Sequence, residues 1–487
     1  MARFRLLSLL VGIATLTSTA SGAPTGLLDN VVGTVVGAVT GTVNTTVNTL
    51  VKTVASVVDT TRVVIVLKSD VKSVIDGVAD YSTDIWTEQK RIDNINNIVN
   101  ALRQYAQQTQ GPVINLLSGL LYQAYWINNV ITVKNCPLSV IQQLVALPIV
   151  EEIIYDVVFD IFPVQPAAAS PGDTANAGWG ATKIQATNVW TASNTGQNVV
   201  VATIDSGVRS THEVLVNNWV GANGWYDPDL KTATPYDANG HGTHTMATIA
   251  GGSGVGIAPS VKWLTCMGCG AASCKLSLLL SCAQFILCPT DTNGNNCNPA
   301  KAPHIVSNSW GSGQGMTYFQ SSIDAWYAAR IIPVFAAGNN GANGCGSVVS
   351  PGDSAKVFSV GASDGNDALG SFSSLGPSLN GLVKPDFAGP GVSVRSAWNG
   401  NNADYRSVSG TSMAAPHVAG TIALALSARP GLCFANLQTI LSGATDRSTL
   451  PATAQTCGGT SSSTFPNNQY GNGRINAQKA VNAALAF

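Results

Sequence analysis

Charge is what this chain has least of. Lys and Arg number 25 and Asp and Glu 26 in 487 residues, so charged side chains make up only 10% and nearly cancel at −1, against about a quarter of an ordinary globular chain. No long basic or acidic run occurs, which argues against nucleic acid or an anionic membrane as the main partner. Asn, Ser, Thr and Gly must therefore do most of the solvating. Also missing is an apolar run of the ~20 residues that a bilayer-spanning helix needs. The run over residues 6–16 is about half of that. It follows Arg3 and Arg5 and precedes Ala20-Ser21-Gly22-Ala23, the order of a secretory signal peptide over 1–22, with a signal anchor as the alternative. The expectation is a soluble, secreted, extracellular protein with no membrane partner.

What is present is a large apolar fraction, 45%, and a length that suggests two or three units. Ten cysteines are present: Cys136, and then Cys266, Cys269, Cys274, Cys282, Cys288, Cys297, Cys345, Cys433 and Cys457. In an oxidising compartment these read mainly as disulfides. The close spacing of Cys266, Cys269 and Cys274 also admits a zinc site. Pairs 269–274, 288–297 and 433–457 are plausible bridges, although connectivity does not follow from sequence, and nine downstream cysteines leave at least one unpaired or paired elsewhere.

Residues 23–60 are mostly Val, Thr, Gly, Ala and Asn. Their apolar positions recur every three or four residues, a helical spacing, while Val, Thr and Gly disfavour helix. This stretch reads as a leader, with Asn44-Thr45-Thr46 its glycosylation sequon. Residues 61–163 read as a small α+β unit: strand 62–68, helix 86–107, strand-forming 124–134, helix 138–147 and strand 150–162. A Pro/Ala-rich linker follows over 164–176 and marks a processing region. From 177 to 487 apolar runs such as VVVATI, IIPVFAAGN and VFSVGA alternate with helical patterns. That is an α/β fold, a parallel sheet with helices on both faces.

Three islands carry chemistry. Asp205 ends the apolar run VVVATI, so it stands at the carboxyl end of a buried strand, where open α/β sheets bind ligands; a turn-forming Asp before Ser206-Gly207 is the plainer alternative. His241 opens a helix-like stretch in GHGTHTM and suits proton transfer near neutrality; His241 and His244, three apart, could instead ligate a metal. Ser412, after Gly410-Thr411 and at the start of MAAPHVAG, is a nucleophile aimed along a helix N-terminus, or merely that helix's cap. Met413 beside it predicts sensitivity to oxidants.

The order Asp, His, Ser and these islands resemble the subtilisin-like serine peptidases. GHGTHTM, GIAPSVKW, APHIVSNSWG, AWYAARIIPVFAAGN, FSSLGPS, VKPDFAGPGVSVRS, GTSMAAPHVAG and PNNQYGNGRINA together look like the bacillopeptidase F-like subfamily. The resemblance implies a secreted endopeptidase in which Ser412 attacks, His241 is general base and Asp205 orients it, with Asn339 and the Ser412 amide as oxyanion donors. It places Ser309, Trp310 and Gly311 (in SNSWG), Gly268 and Gly270 (in GCGAAS) and Gly338 beside a protein or peptide substrate. Residues 61–163 would be an inhibitory propeptide, the chain's own partner, and the enzyme a monomer. No cofactor is implied. Structural calcium is frequent in the superfamily, but the acidic groups at Asp227-Pro228-Asp229 and at 291–296 are ordinary turn compositions, so no metal ligand is assigned. The cysteine-rich insert between Cys266 and Cys297 is this chain's departure from the pattern. The rivals are a catalytically silent binding or folding scaffold, and a surface adhesion protein using its leader segment.

Overall fold

A computed structural model describes residues 62–162, 164–166, 178–453 and 455–487. The signal peptide, the leader with its sequon and most of the linker lie outside the described residues. The chain divides into two compact units; in described residues the first comprises 62–69, 107–124 and 129–157, and the second 70–106, 125–128 and 158–487.

In the first, β1 (Arg62–Leu67) follows the expected strand; α1 (Val71–Asp76), of the second unit, and α2 (Glu88–Leu116), whose end from 107 belongs to the first, come next in the chain. The sequence places the end of α2 near 107, because QQTQGP is polar and ends in a helix-breaking proline. The helix instead runs on through Pro112, and Val113 beyond it is fully buried among Val63, Ile65, Ile131 and Val133. Packing overrides propensity there. Residues 124–134 form two strands rather than one, β2 (Tyr122–Tyr125) and β3 (Val130–Lys134), with Asn129 in the left-handed conformation between them. After α3 (Leu138–Ala146), β4 (Val150–Tyr155) completes a sheet of order β2-β3-β1-β4.

The expected strand 150–162 is also split. Its second part, β5 (Val158–Ile161), belongs to the second unit, as does β6 (Gln165–Pro166). This unit continues through α4 (Trp179–Lys183), α5 (Ala186–Thr191), β7 (Val200–Asp205), β8 (Trp225–Tyr226), α6 (His241–Ala250), β9 (Lys262–Met267), β10 (Ser273–Lys275) and α7 (Leu276–Leu287). It goes on with β11 (Ile305–Asn308), β12 (Trp310–Gly311), α8 (Gln320–Ala328), β13 (Ile332–Ala336), β14 (Phe358–Ser363), β15 (Phe387–Pro390), β16 (Val394–Ala397) and β17 (Tyr405–Ser409). It closes with α9 (Thr411–Ala428), α10 (Phe434–Gly443), β18 (Thr445–Asp446), β19 (Arg474–Ile475) and α11 (Ala477–Ala486).

Nine strands form one sheet, β18-β19-β15-β14-β13-β11-β7-β9-β8, parallel except at the β18/β19 edge. Both faces are covered, as the apolar runs require. Val201, Ile305, Val334 and Val360 face a core shared with α6, α9 and α11. Phe335, one residue on and so on the opposite face, stacks edge to face on Trp310, which meets Phe319, and Phe319 meets Trp326 of α8. The segment before α2 joins this same unit: Arg330 lies 3.5 Å from the Trp86 ring centroid and donates to the Ser82 and Asp84 carbonyls. Arg91 donates to the carbonyls of Ala302 and Pro303. Among the described residues no helix is long and apolar enough to cross a membrane.

Four disulfides form: 266–282, 269–274, 288–297 and 345–457. Two match the sequence expectation. The third does not: Cys457 pairs with Cys345, and Cys433 is a buried free thiol capping α10. Sequence nearness favours the shorter loop, but tertiary placement brings the partner 112 residues away to a Cα separation of 5.3 Å. The bridges at Cys266, Cys269 and Cys274 also remove the zinc alternative.

Candidate active site

Asp205 ends β7, which lies between β11 and β9 inside the large sheet, and its carboxylate is 1% exposed. Oδ1 lies 2.8 Å from His241 Nδ1 and accepts from the Ser206 N–H at 2.7 Å. Oδ2 accepts from Thr245 Oγ1. This pairing puts the imidazole proton on Nδ1 and leaves Nε2 as the free base, which has no hydrogen-bond partner among the described residues. Burial opposes an imidazolium here, but the charge and hydrogen bond of Asp205, with Asp237 farther off, outweigh it and raise His241 above its ordinary range.

The turn before α6 is organised by Asp237, which the sequence reading missed. Its Oδ1 accepts from Asn239 N, Gly240 N and Ser206 Oγ, and its Oδ2 from Thr243 N and Oγ1. Burial pushes its carboxyl up despite these donors. The available signal was Asp-Ala-Asn-Gly immediately before a helix, an N-terminal turn composition.

His244 is not poised for a metal. Its Nε2 faces the carbonyls of Val394 and Arg406 at 3.0 and 3.2 Å, and burial lowers it to about 3. Among the described residues no group of acidic, His or Cys side chains could hold a metal. Asp227 and Asp291 accept from nearby backbone amides, capping their own turns.

Ser412 lies in the first turn of α9, which packs against α6, and is fully buried. An N–H in that turn has no intrahelical acceptor. Its Oγ donates to the Ser309 carbonyl at 3.3 Å, while Ser309 Oγ donates to the Ser412 carbonyl at 3.0 Å. Asn339 Oδ1 accepts from both the amide and the hydroxyl of Thr411, at 3.0 and 2.8 Å, which fixes its side-chain amide and turns Nδ2 to the other side. Gly338 N–H donates to that same hydroxyl. Gly410 has a φ of 166°, ordinary extended backbone, and a Cβ there would fall 3.2 Å from Asn339 Nδ2, a tight approach.

The chain's own residues lie along these groups as a strand. β5 is the middle of a three-stranded antiparallel sheet, with β10 on one side and β12 on the other. The outer wall is therefore Ser273–Lys275, and this corrects the placement of Gly268 and Gly270. Gly268 packs over Ile204 and Leu279, and Gly270 closes the turn inside the 269–274 bridge by donating to the Ser273 carbonyl. Trp310 and Gly311 pair with Ile161 and Asp160 of the strand. Trp310 donates to the Ile204 carbonyl and meets Phe159 edge to face at 5.5 Å. It therefore shapes the site of Phe159 rather than that of Phe162. Phe162, 5% exposed, borders a pocket of about 250 Å³ with Gly311, Ser312, Asn339, Val349 and Phe372. A Cβ on Gly311 would fall 2.9 Å from Phe162 Cζ. Past Phe162, Val164 packs against the apolar cluster of Trp179, Val394, Trp398, Val408 and Met413, and Gln165 and Pro166 pair with Ser409 and Val408.

A carboxylate–imidazole pair, a hydroxyl at a helix start and a clamped asparagine are the kinds of part an acyl-transfer site uses. Residues 196–473 match the model of the subtilase family, peptidase S8. The chain belongs to the subtilase family. It is 32% identical to bacillopeptidase F of Bacillus subtilis over 422 residues, 79% of this chain but only 28% of that protein. It is 34% identical over 312 residues to subtilisin Savinase of Lederbergia lenta, 62% of this chain and 98% of the relative. Alkaline serine exoprotease A of Vibrio alginolyticus is 31% identical over 276 residues, 55% of this subtilase and 46% of the relative.

Proposed function

We propose that this subtilase is a secreted serine endopeptidase made as a self-processing precursor, and that Asp205, His241 and Ser412 are its catalytic triad. The observation that carries the reading is the 2.8 Å Asp205–His241 pair standing with Ser412 where the chain's own extended segment meets the cleft. Ser412 Oγ turns from the Ser309 carbonyl to His241 Nε2, which takes its proton as Oγ bonds to the scissile carbonyl carbon. The resulting oxyanion is met by Asn339 Nδ2 and the Ser412 amide. His241 then protonates the leaving nitrogen as the C–N bond breaks, and water repeats the sequence in reverse roles to release the acid. Asp205 holds the tautomer and stabilises the imidazolium throughout. Substrates bind as an extended strand between β10 and β12, so conformation is selected before sequence.

In the precursor the bound strand is the chain itself. Phe162 borders the pocket with Asn339 and Val164 joins the apolar cluster that contains Met413, which supports processing between them, with the cut segment remaining as inhibitor until degraded. The test is intact mass and N-terminal sequence of the secreted protein, wild type beside Ser412→Ala. Cleavage in the wild type alone supports the reading. Identical cleavage of both, or of neither, removes self-processing.

A further inference from the structure

We propose that the leaving-group side of the cleft is a sequence-selective subsite, with Trp398 as its specificity-determining wall and an aliphatic side chain as its ligand. The inference rests on the endopeptidase reading and concerns residues beyond the scissile bond. Its occupant is visible: Val164, half-buried, sits among Trp179, Val394, Trp398, Val408 and Met413. Met413 follows the nucleophile directly, so this apolar cup adjoins the reacting centre on the side opposite Phe162. Counting from Phe162 as the acyl residue, Val164 is second on the leaving side. Gln165 and Pro166 then run antiparallel to Ser409 and Val408 of β17, so the backbone is held in register beyond the cup as it is before it. Beside the seated Val164 and Pro166 a further space of about 320 Å³ stays open, walled by Trp398, Arg406 and Val408.

Trp398 is held stiffly. Its indole meets the His244 ring edge to face, with centroids 6.1 Å apart, and the Arg406 guanidinium lies 4.8 Å from its ring centroid. Gly240, next to the general base, leaves the room the indole occupies: a Cβ there would fall 2.2 Å from Cε2. Trp398 is 7% exposed with the segment seated. Once the cut segment leaves, the cup presents apolar surface beside a free strand edge. That surface is what an incoming peptide covers, because β17 pairs through backbone groups that any extended chain offers.

Two internally quenched peptides test this, identical except for Val or Gly two residues after a scissile Phe–Ala bond. Wild type is expected to prefer the Val peptide by about ten-fold or more in kcat/KM, the scale set by one apolar side chain in a pocket, with most of the difference in KM. In Trp398→Ala the ratio should fall to near one, and in Trp398→Phe it should remain intermediate. A wild-type ratio near one overturns the proposal, as does an unchanged ratio in Trp398→Ala. If Trp398→Ala does not fold, Trp398→Gln supplies the same comparison at higher polarity. A Phe anilide, which has no leaving-side residues, separates the two readings: its failure with wild type sinks the endopeptidase, whereas its hydrolysis beside a flat Val/Gly ratio sinks only the subsite.

Discussion

Asn339 works through both ends of its amide. With Oδ1 tied to Thr411, Nδ2 would, in the proposed mechanism, be set in advance toward the developing charge, and preorganised donors act without reorganisation during reaction. Asn339→Ala should lower kcat about 10²- to 10³-fold with little change in KM. Thr411→Val, which removes one of the two tethers, should lower kcat less, and steady-state kinetics on one peptide resolves both. His241 gives a pH prediction. In the Ser412→Ala precursor its imidazole should titrate above 6.5, because Asp205 overcomes the cost of burial; an NMR titration showing a value below 6.5 would contradict the charge pairing. Gly180 is a third test. A Cβ there would fall 2.2 Å from His417 Nε2, whose ring is buried and anchored through Nδ1 to the Met413 carbonyl at 2.7 Å. Gly180→Ala should cost about 1–3 kcal/mol in a urea titration.

Among elements, the cleft walls and their bridges matter most. β10 is the strand on which β5 rests, and the 269–274 disulfide ties Cys274 of that strand to its own loop. Opening it loosens a substrate-pairing edge without touching the triad, so mild reduction should raise KM more than it lowers kcat. The 345–457 bridge closes a far longer loop, 112 residues, and constrains the unfolded chain rather than the site. Cys345→Ser with Cys457→Ser should destabilise by about 2–5 kcal/mol while leaving KM near its wild-type value. The elements most legible in the sequence were those with unbroken apolar runs. Val199–Ile204 leading to Asp205 is the plainest, since burial on both faces leaves such a run no other place. The breaks within 124–134 and 150–162 were not legible. The second is set by which sheet each half joins, the first by a turn at Asn129 between two strands of one sheet, and β-forming residues satisfy either arrangement.

At the scale of the whole molecule, four histidines set pH dependences in two separate windows, His304 being lowered by burial and by the nearby Arg91. His244 and His417 are held neutral by burial, lowered to about 3 and about 4. Below 6.5 the unfolded chain binds protons that the fold refuses, so their contribution is complete above 6.5 and drains away as pH falls toward those values. Each loses about 1.4 kcal/mol per pH unit in that window. His241, raised, runs the other way: its contribution is complete below 6.5 and is lost as pH rises through its folded value. His241 is protonated in both folded and unfolded chain below 6.5 and adds no slope there, so the Ser412→Ala precursor should lose stability steadily from pH 6.5 to 4 by urea titration, and His417→Gln should flatten the slope. The sequence by itself determined the α/β class, the three chemical islands and their order, because burial and turn chemistry act on neighbouring residues. It also marked Asn339, through a motif carried in contiguous residues. Only the tertiary structure decided what lies between those islands: that Ser273–Lys275 is the outer wall, that Trp310 serves Phe159 while Gly311 borders Phe162, that Cys345 meets Cys457, and that Trp398 stands beside Val164. Each of these joins residues far apart in the chain, and no local periodicity records which distant surface closes on which.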